Sequence, residues 1–158
     1  FPWFVEKSAP VSKRTGKLDF DVKISISAGS SIKTEVSIRV PATSLCPCSK
    51  QISKYGAHNQ RCELTLSVRF EKGETISLEE LFQIAESSAS APVFSVIKRE
   101  DEKHVTEQAY ENPKFCEDTA RDLAELLNSD TRIKWYKCSV ENFESIHSHN
   151  AFAEITSE

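Results

Sequence analysis

The chain has 158 residues, 39% hydrophobic and 28% charged, with a net charge of −4. That composition describes a folded domain with a real core rather than a disordered chain. The acidic balance argues against nucleic acid or an anionic membrane as partner, and no apolar run is long enough to cross a bilayer.

The opening "FPWFVEKSAPVS" carries Pro2, Pro10 and three aromatics, and reads as an extended segment that needs a surface to pack on. Leu18–Ala28 alternates apolar and polar residues, the period of a half-buried strand. "GSS" at 29–31 is expected to turn the chain into a second alternating run, Ile32–Val40, which Pro41 is expected to end. The next stretch has almost no apolar periodicity and reads as loop with a short helix at most. Cys62–Phe70 alternates again. Ser77 with Glu80 three residues later forms a capping box, followed by an inner stripe of Leu78, Leu81, Phe82 and Ala85.

"IKREDEKHVTEQAY" reads as a charged connector. A helix is expected from Asn112 as N-cap and Pro113 as first helical residue, with Cys116, Ala120, Leu123 and Leu127 facing inward. Two last strands are expected at about 132–140 and 147–155. From Ile32 onward the order is strand, Cys/His loop, strand, helix, helix, strand, strand. This is an α+β arrangement, an antiparallel sheet with two helices on one face. Residues 32–158 form this unit; residues 1–31 read as a linker and strand belonging to an N-terminal module outside the sequence.

The chemistry concentrates in "SLCPCSKQISKYGAHNQR", residues 44–61. Cys46 and Cys48 stand one residue apart, too close for an ordinary disulfide, and His58 follows twelve residues after Cys46. Cysteines usually hide in cores, yet these lie in a polar loop. Five cysteines, with no second close pair, suit a reducing cytoplasm and a metal or catalytic role better than a disulfide framework. Thiolate and imidazole favour Zn or Fe(II). The plainer reading is two incidental loop cysteines and a surface histidine. Without a second ligand pair, a metal here would keep an open coordination position.

Other candidates have plain readings beside functional ones. Glu100, Asp101 and Glu102 read most simply as solvated charge; a carboxylate among them would complete a mixed metal site. Glu117 reads as a carboxylate complementing a helix N-terminus; the alternative is an acceptor for two N–H donors of a heterocycle. His147 and His149, two apart on one expected strand face, are either an exposed polar pair or proton shuttles. Cys62, Cys116 and Cys138 fall on core stripes and His104 on the surface.

Together "TSLCPCSK", "YGAHNQR", "KREDEK", "AYENPKFCED" and "ESIHSHNAFA" resemble GTP cyclohydrolase of the prokaryotic type IB family, over nearly the whole chain. The resemblance implies a tunnelling fold, whose unit is strand-strand-helix-helix-strand-strand. It also implies two such units per chain and a homotetramer with active sites between subunits. The implied reaction converts GTP and water to 7,8-dihydroneopterin triphosphate and formate, leading to tetrahydrofolate and queuosine. Carried over by motif, Cys46, His58 and Glu102 would hold a divalent metal, whether Zn, Mn or Fe(II). Cys48 would lie beside it as a further ligand or an acid/base. Glu117 would anchor guanine, and His147 and His149 would border the pocket as catalytic groups. Lys50 and Arg61 stand among six basic residues flanking the motifs that could meet the triphosphate. The alternatives are an archaeal-type cyclohydrolase forming a cyclic phosphate, an NADPH-dependent nitrile reductase of the same superfamily, and a non-catalytic Cys/His metal-binding module.

Overall fold

The computed structural model describes residues 1–29 and 32–157; the expected turn at 29–31 lies largely outside them, since Ser30 and Ser31 are not described. Six strands form one antiparallel sheet whose spatial order is their chain order. They are β1 (Pro2–Ser8), β2 (Thr15–Ala28), β3 (Ile32–Leu45), β4 (Asn59–Phe70), β5 (Ile133–Asn142) and β6 (Ala151–Thr156). Four helices accompany them: α1 (Pro47–Ile52), α2 (Leu78–Ser88), α3 (Arg99–Glu111) and α4 (Cys116–Ser129). None is long and apolar enough to cross a membrane. Residues 1–29 contribute β1 and β2, which pair in series onto β3 and extend the same sheet.

Period-two alternation sets the two faces of the sheet. On β4, Cys62, Leu64, Leu66 and Val68 are buried while Glu63, Thr65 and Ser67 are only partly covered. The buried face packs against α2 through Leu81, Phe82 and Ala85, and against α4 through Cys116, Ala120, Leu123 and Leu127. The Ser77 hydroxyl accepts from the Glu80 N–H at 3.1 Å and starts α2 as the capping pattern requires.

Four expectations need correction. The charged connector is α3, so three helices, not two, separate β4 from β5. Its residues are mostly strong helix formers, and it needs only a narrow inner stripe, Asp101, Val105 and Ala109, spaced four apart. Asn112 does not start the next helix. It closes α3, and its side-chain amide donates to the carbonyls of Ala89 (3.2 Å) and Ser90 (3.1 Å). The following helix starts at Cys116, where the Asp118 carboxylate accepts from the Phe115 N–H.

Pro41 does not end β3. The Thr43 N–H points away from β4, to the Ala91 carbonyl at 2.9 Å. By the same alternation residue 41 would direct its N–H away from β4, on the side where pairing with β2 stops at Arg39, so proline removes no ladder bond. Finally, His147 and His149 are not on a strand. β5 ends at Asn142, which pairs with Ala151, and this leaves residues 143–150 no strand to pair with.

Candidate active site

The antiparallel order brings the chemistry-bearing segments to one end of the sheet. The last pair between β3 and β4 is Leu45 with Asn59. Cys46 and His58 are the next residues outward on each strand, so they flank the same point. Cys46 is half-buried and precedes α1; Pro47 takes the first helical position, and Cys48 is exposed. The Ser49 hydroxyl donates to the Cys46 carbonyl at 3.0 Å. Lys50 extends from α1 to the Tyr110 carbonyl, with its ammonium 4.2 Å from the Tyr110 ring centre. This joins the cysteine segment to the C-terminal end of α3. Leu45, Ala91 and Ala109 form a small second core beneath it, with Ala57 and Val105 packed on.

Loop 143–150 closes over the start of β4. The Phe143 N–H donates to the Arg61 carbonyl at 2.9 Å. The Gln60 amide donates to Glu144 at 2.8 Å, and Ser145 Oγ lies 2.7 Å from His58 Nδ1. With Nδ1 engaged, Nε2 is the ring nitrogen left for other chemistry. His147 and His149 are exposed in this loop and stack with ring centres 5.4 Å apart. Glu117 is exposed on the first turn of α4, which Cys116 pins to the same end: its Sγ donates to the Val140 carbonyl at 3.1 Å and lies 3.5 Å from the Ala151 carbonyl. Arg61 is exposed on the sheet face away from the helices.

The carboxylates of 100–102 divide. Asp101 is fully buried, against the expectation of a solvated run. It accepts from the N–H groups of Val11 and Ser12 at 2.8 Å, from the Ser12 hydroxyl at 2.5 Å and from the Lys98 N–H at 2.9 Å. Burial alone would raise its pKa, but these donors outweigh it and hold the carboxyl well below the ordinary range. Asp101 thus ties α3 to the β1–β2 turn. Glu102, one residue on, stays exposed.

Donor type at Cys46 and His58 fits a borderline-soft divalent ion, and their strand ends are paired. Among the described residues, however, no three His, Cys, Asp or Glu side chains are close enough together to hold an ion. Glu102 is therefore not gathered with Cys46 and His58 into a ready-made cage. Cys62, Cys116 and Cys138 are core thiols as expected: burial pushes them up to about 12, 11 and 11. A cleft of about 500 Å³ lined by Lys33, Arg69, Lys134 and Trp135 lies at the opposite end of the sheet.

Five residues of this sheet end escaped sequence reasoning: Gln60, Glu144 and Ser145, which make the contacts above, and Ser44 and Asn142, which are buried beside them. Gln60 and Asn142 had a signal, because each falls on the core-facing alternation of its strand, beside Cys62 and Val140. Ser145 and Glu144 had none, since only the fold brings them to β4.

A family model described as type I GTP cyclohydrolase folE2 matches residues 1–153. The chain is similar to proteins named GTP cyclohydrolase FolE2. The Dichelobacter nodosus protein is 51% identical over 156 residues, 98% of this chain and 60% of that protein. The Caldicellulosiruptor saccharolyticus protein is 49% identical over 158 residues, 100% of this chain and 61% of that protein. The Geotalea uraniireducens protein is 48% identical over 155 residues, 98% and 56% respectively. The chain thus spans about three-fifths of the length of the relatives it matches. Every site segment described above lies inside the matched residues, and the chain belongs to the type I GTP cyclohydrolase FolE2 family.

Proposed function

We propose that this chain carries the catalytic half of a GTP cyclohydrolase of type IB, converting GTP and water to 7,8-dihydroneopterin triphosphate and formate. The observation that carries the reading is the gathering of Cys46, His58, loop 143–150 and the start of α4 at one sheet end, in a chain about half identical to proteins named GTP cyclohydrolase FolE2. The sheet with helices on one face suits a tunnelling-fold unit. The further module expected before residue 32 would lie in the part of the relatives that this chain does not span. The whole enzyme is read as a cytoplasmic homotetramer with active sites between subunits.

Cys46 and His58, joined by Glu102 once it moves in from α3, would hold a divalent ion, Zn, Mn or Fe(II), which when bound lowers the pKa of water enough to supply hydroxide at neutral pH. The chain's own groups do the rest. Glu117 accepts from guanine N1–H and the 2-amino group; adenine offers neither, so the carboxylate selects the base. His147 and His149 move protons at the ring and ribose atoms during opening and reclosure, a task suited to imidazoles, whose two ring nitrogens can donate and accept. Cys48, exposed beside Cys46, serves as an acid/base. Lys50 and Arg61 meet the triphosphate; Lys50 would leave Tyr110 to do so.

The test uses the full-length protein, stripped of metal and reloaded with Mn, Fe(II) or Zn. Formate release and pterin fluorescence are followed together with GTP. Both should appear, and both should vanish in Cys46→Ala. Guanine nucleotide binding without turnover under any metal would sink the catalytic reading and leave only a purine site. A cyclic phosphate product would reassign the chain to the archaeal-type activity.

A further inference from the structure

At the end of the sheet away from Cys46, the two central strands part. The outermost pair between β3 and β4 is Val36 with Val68. β3 nevertheless begins at Ile32 and keeps its pairing with β2, while β4 runs on to Phe70 and stays paired with β5. A register shift between Arg69 and Phe70 bends β4 just where the strands separate. The gap is the cleft of about 500 Å³. Residues 32–34 wall it on one side, and Arg69, Phe70, Lys72, Lys134 and Trp135 on the other. Small-molecule sites commonly enclose roughly 300–1,000 Å³.

The charge of the cleft is one-sided. Half of its lining residues are Lys or Arg, and none is Asp or Glu. In the whole chain the acids are the majority, 24 Asp and Glu against 20 Lys and Arg. Arg69 is already paired: its guanidinium donates to Glu35 Oε2 at 2.8 Å and lies 4.0 Å from the Trp135 ring centre. Lys33, Lys72 and Lys134 are exposed, and among the described residues none of them has a carboxylate within ion-pair distance. Three ammonium groups round one concavity focus a positive potential into it.

The parted strands add a backbone donor. The Thr43 N–H points away from β4, so alternation along β3 turns the Thr34 N–H toward β4, beyond the point where the two strands pair. Ile32, Phe70 and Trp135 give the same cleft an apolar wall on which a flat ring can lie. Lysines as point charges and a free backbone N–H are the groups that hold phosphate oxygens.

We propose that this cleft binds the phosphate chain of a small polyanion, supplied either by a nucleoside polyphosphate, whose base would lie on the apolar wall, or by inorganic polyphosphate. It lies at the opposite end of the sheet from Cys46 and His58, and rests on nothing proposed for them.

The test uses the metal-free full-length protein, so that no turnover intervenes. ATP and inorganic tripolyphosphate are titrated separately by calorimetry, and amide hydrogen exchange locates the binding. At least one probe should slow exchange at residues 32–36 and 68–72. Lys33→Glu combined with Lys134→Glu should weaken that binding by roughly tenfold or more. Lys17→Glu, exposed on β2, should leave it unchanged. Added salt should weaken it too, because the lysines face solvent. ATP bound about tenfold more tightly than tripolyphosphate assigns a nucleotide; equal or weaker ATP binding assigns the phosphate chain alone. No binding by either probe overturns the site. So does protection confined to residues 44–61 and 143–150, or equal affinity in the wild type and the double variant. If the double variant does not fold, Lys33→Glu alone decides by the same comparison.

Discussion

His58 Nδ1 and Ser145 Oγ, 87 residues apart in the chain, lie 2.7 Å from each other. The contact engages Nδ1 and leaves Nε2 as the ring nitrogen free for other chemistry. Groups that orient a metal-ligating histidine commonly contribute 10–100-fold in metal affinity. If His58 ligates the metal as proposed, Ser145→Ala should weaken divalent metal binding by about 10–100-fold in a chelator-competition titration of the full-length protein. Ser145 is exposed, so thermal stability should hardly move. Equal affinity in the two proteins would mean that His58 is oriented by something else.

Asp101 makes a pH prediction with a definite sign. Its carboxyl titrates well below the ordinary carboxylate range in the folded protein, because the Ser12 hydroxyl and the N–H groups of Lys98, Ser12 and Val11 outweigh its burial. A depressed folded pKa contributes stability that is complete above the unfolded value, about 4. That stability is lost as pH falls from there toward the folded pKa. The urea midpoint of the wild type should drop between pH 5 and pH 3, values bracketing the unfolded pKa near ~4. Asp101→Asn should be less stable at pH 7 and lose less over the same interval. Parallel curves for the two proteins would remove the buried charge as the cause.

How much of this was legible depends on whether a residue's partners are local. The alternation at Cys62, Leu64, Leu66 and Val68 and the Ser77–Glu80 cap are written within a few residues, and both elements form as expected. Asp101 sits among Lys, Arg and Glu, and looks solvated until the β1–β2 turn, about 90 residues away, supplies its donors. Asn112 before Pro113 has the local form of a helix start, but its amide is drawn to carbonyls at 89 and 90 and closes α3 instead. At the site, motif spacing named Cys46 and His58, and the strand register brings them together. Gln60 and Asn142 went unnoticed, although a polar residue on a core-facing alternation is itself a signal.

The five cysteines should divide by reactivity. Burial raises Cys62 to about 12, and Cys116 and Cys138 to about 11, so at pH 8 essentially none of them is thiolate. Cys46 and Cys48 are half-buried and exposed. Brief alkylation of the metal-free folded protein, read by mass spectrometry, should label Cys46 and Cys48 and spare the other three. Label at Cys116 before unfolding would contradict its packing against β5 and β6.

Phe82 on α2 carries the helix–sheet contact. It is 2% exposed, and its ring centre lies 5.0 Å from that of Phe20 on β2. Phe82→Ala removes the ring and leaves a cavity that two rigid layers cannot close, at a cost of about 3–5 kcal/mol. The urea midpoint should fall accordingly. A loss under about 1 kcal/mol would show that α2 repacks onto the sheet, contrary to the dense core described here.

Glu117 tests base recognition apart from folding. It is exposed on the first turn of α4, while its neighbour Cys116 does the packing, so Glu117→Ala should leave stability nearly unchanged. If its carboxylate receives guanine N1–H and the 2-amino group, each charge-assisted bond contributes about 1.5–3 kcal/mol. Inosine triphosphate keeps N1–H but lacks the 2-amino group, so it loses one of the two bonds. The wild-type enzyme should therefore prefer GTP over inosine triphosphate in kcat/KM by roughly 10–100-fold. Glu117→Ala should lower kcat/KM for GTP and collapse that preference toward unity. A variant that is slower on both nucleotides but keeps the wild-type ratio would place the recognition of the 2-amino group on another residue.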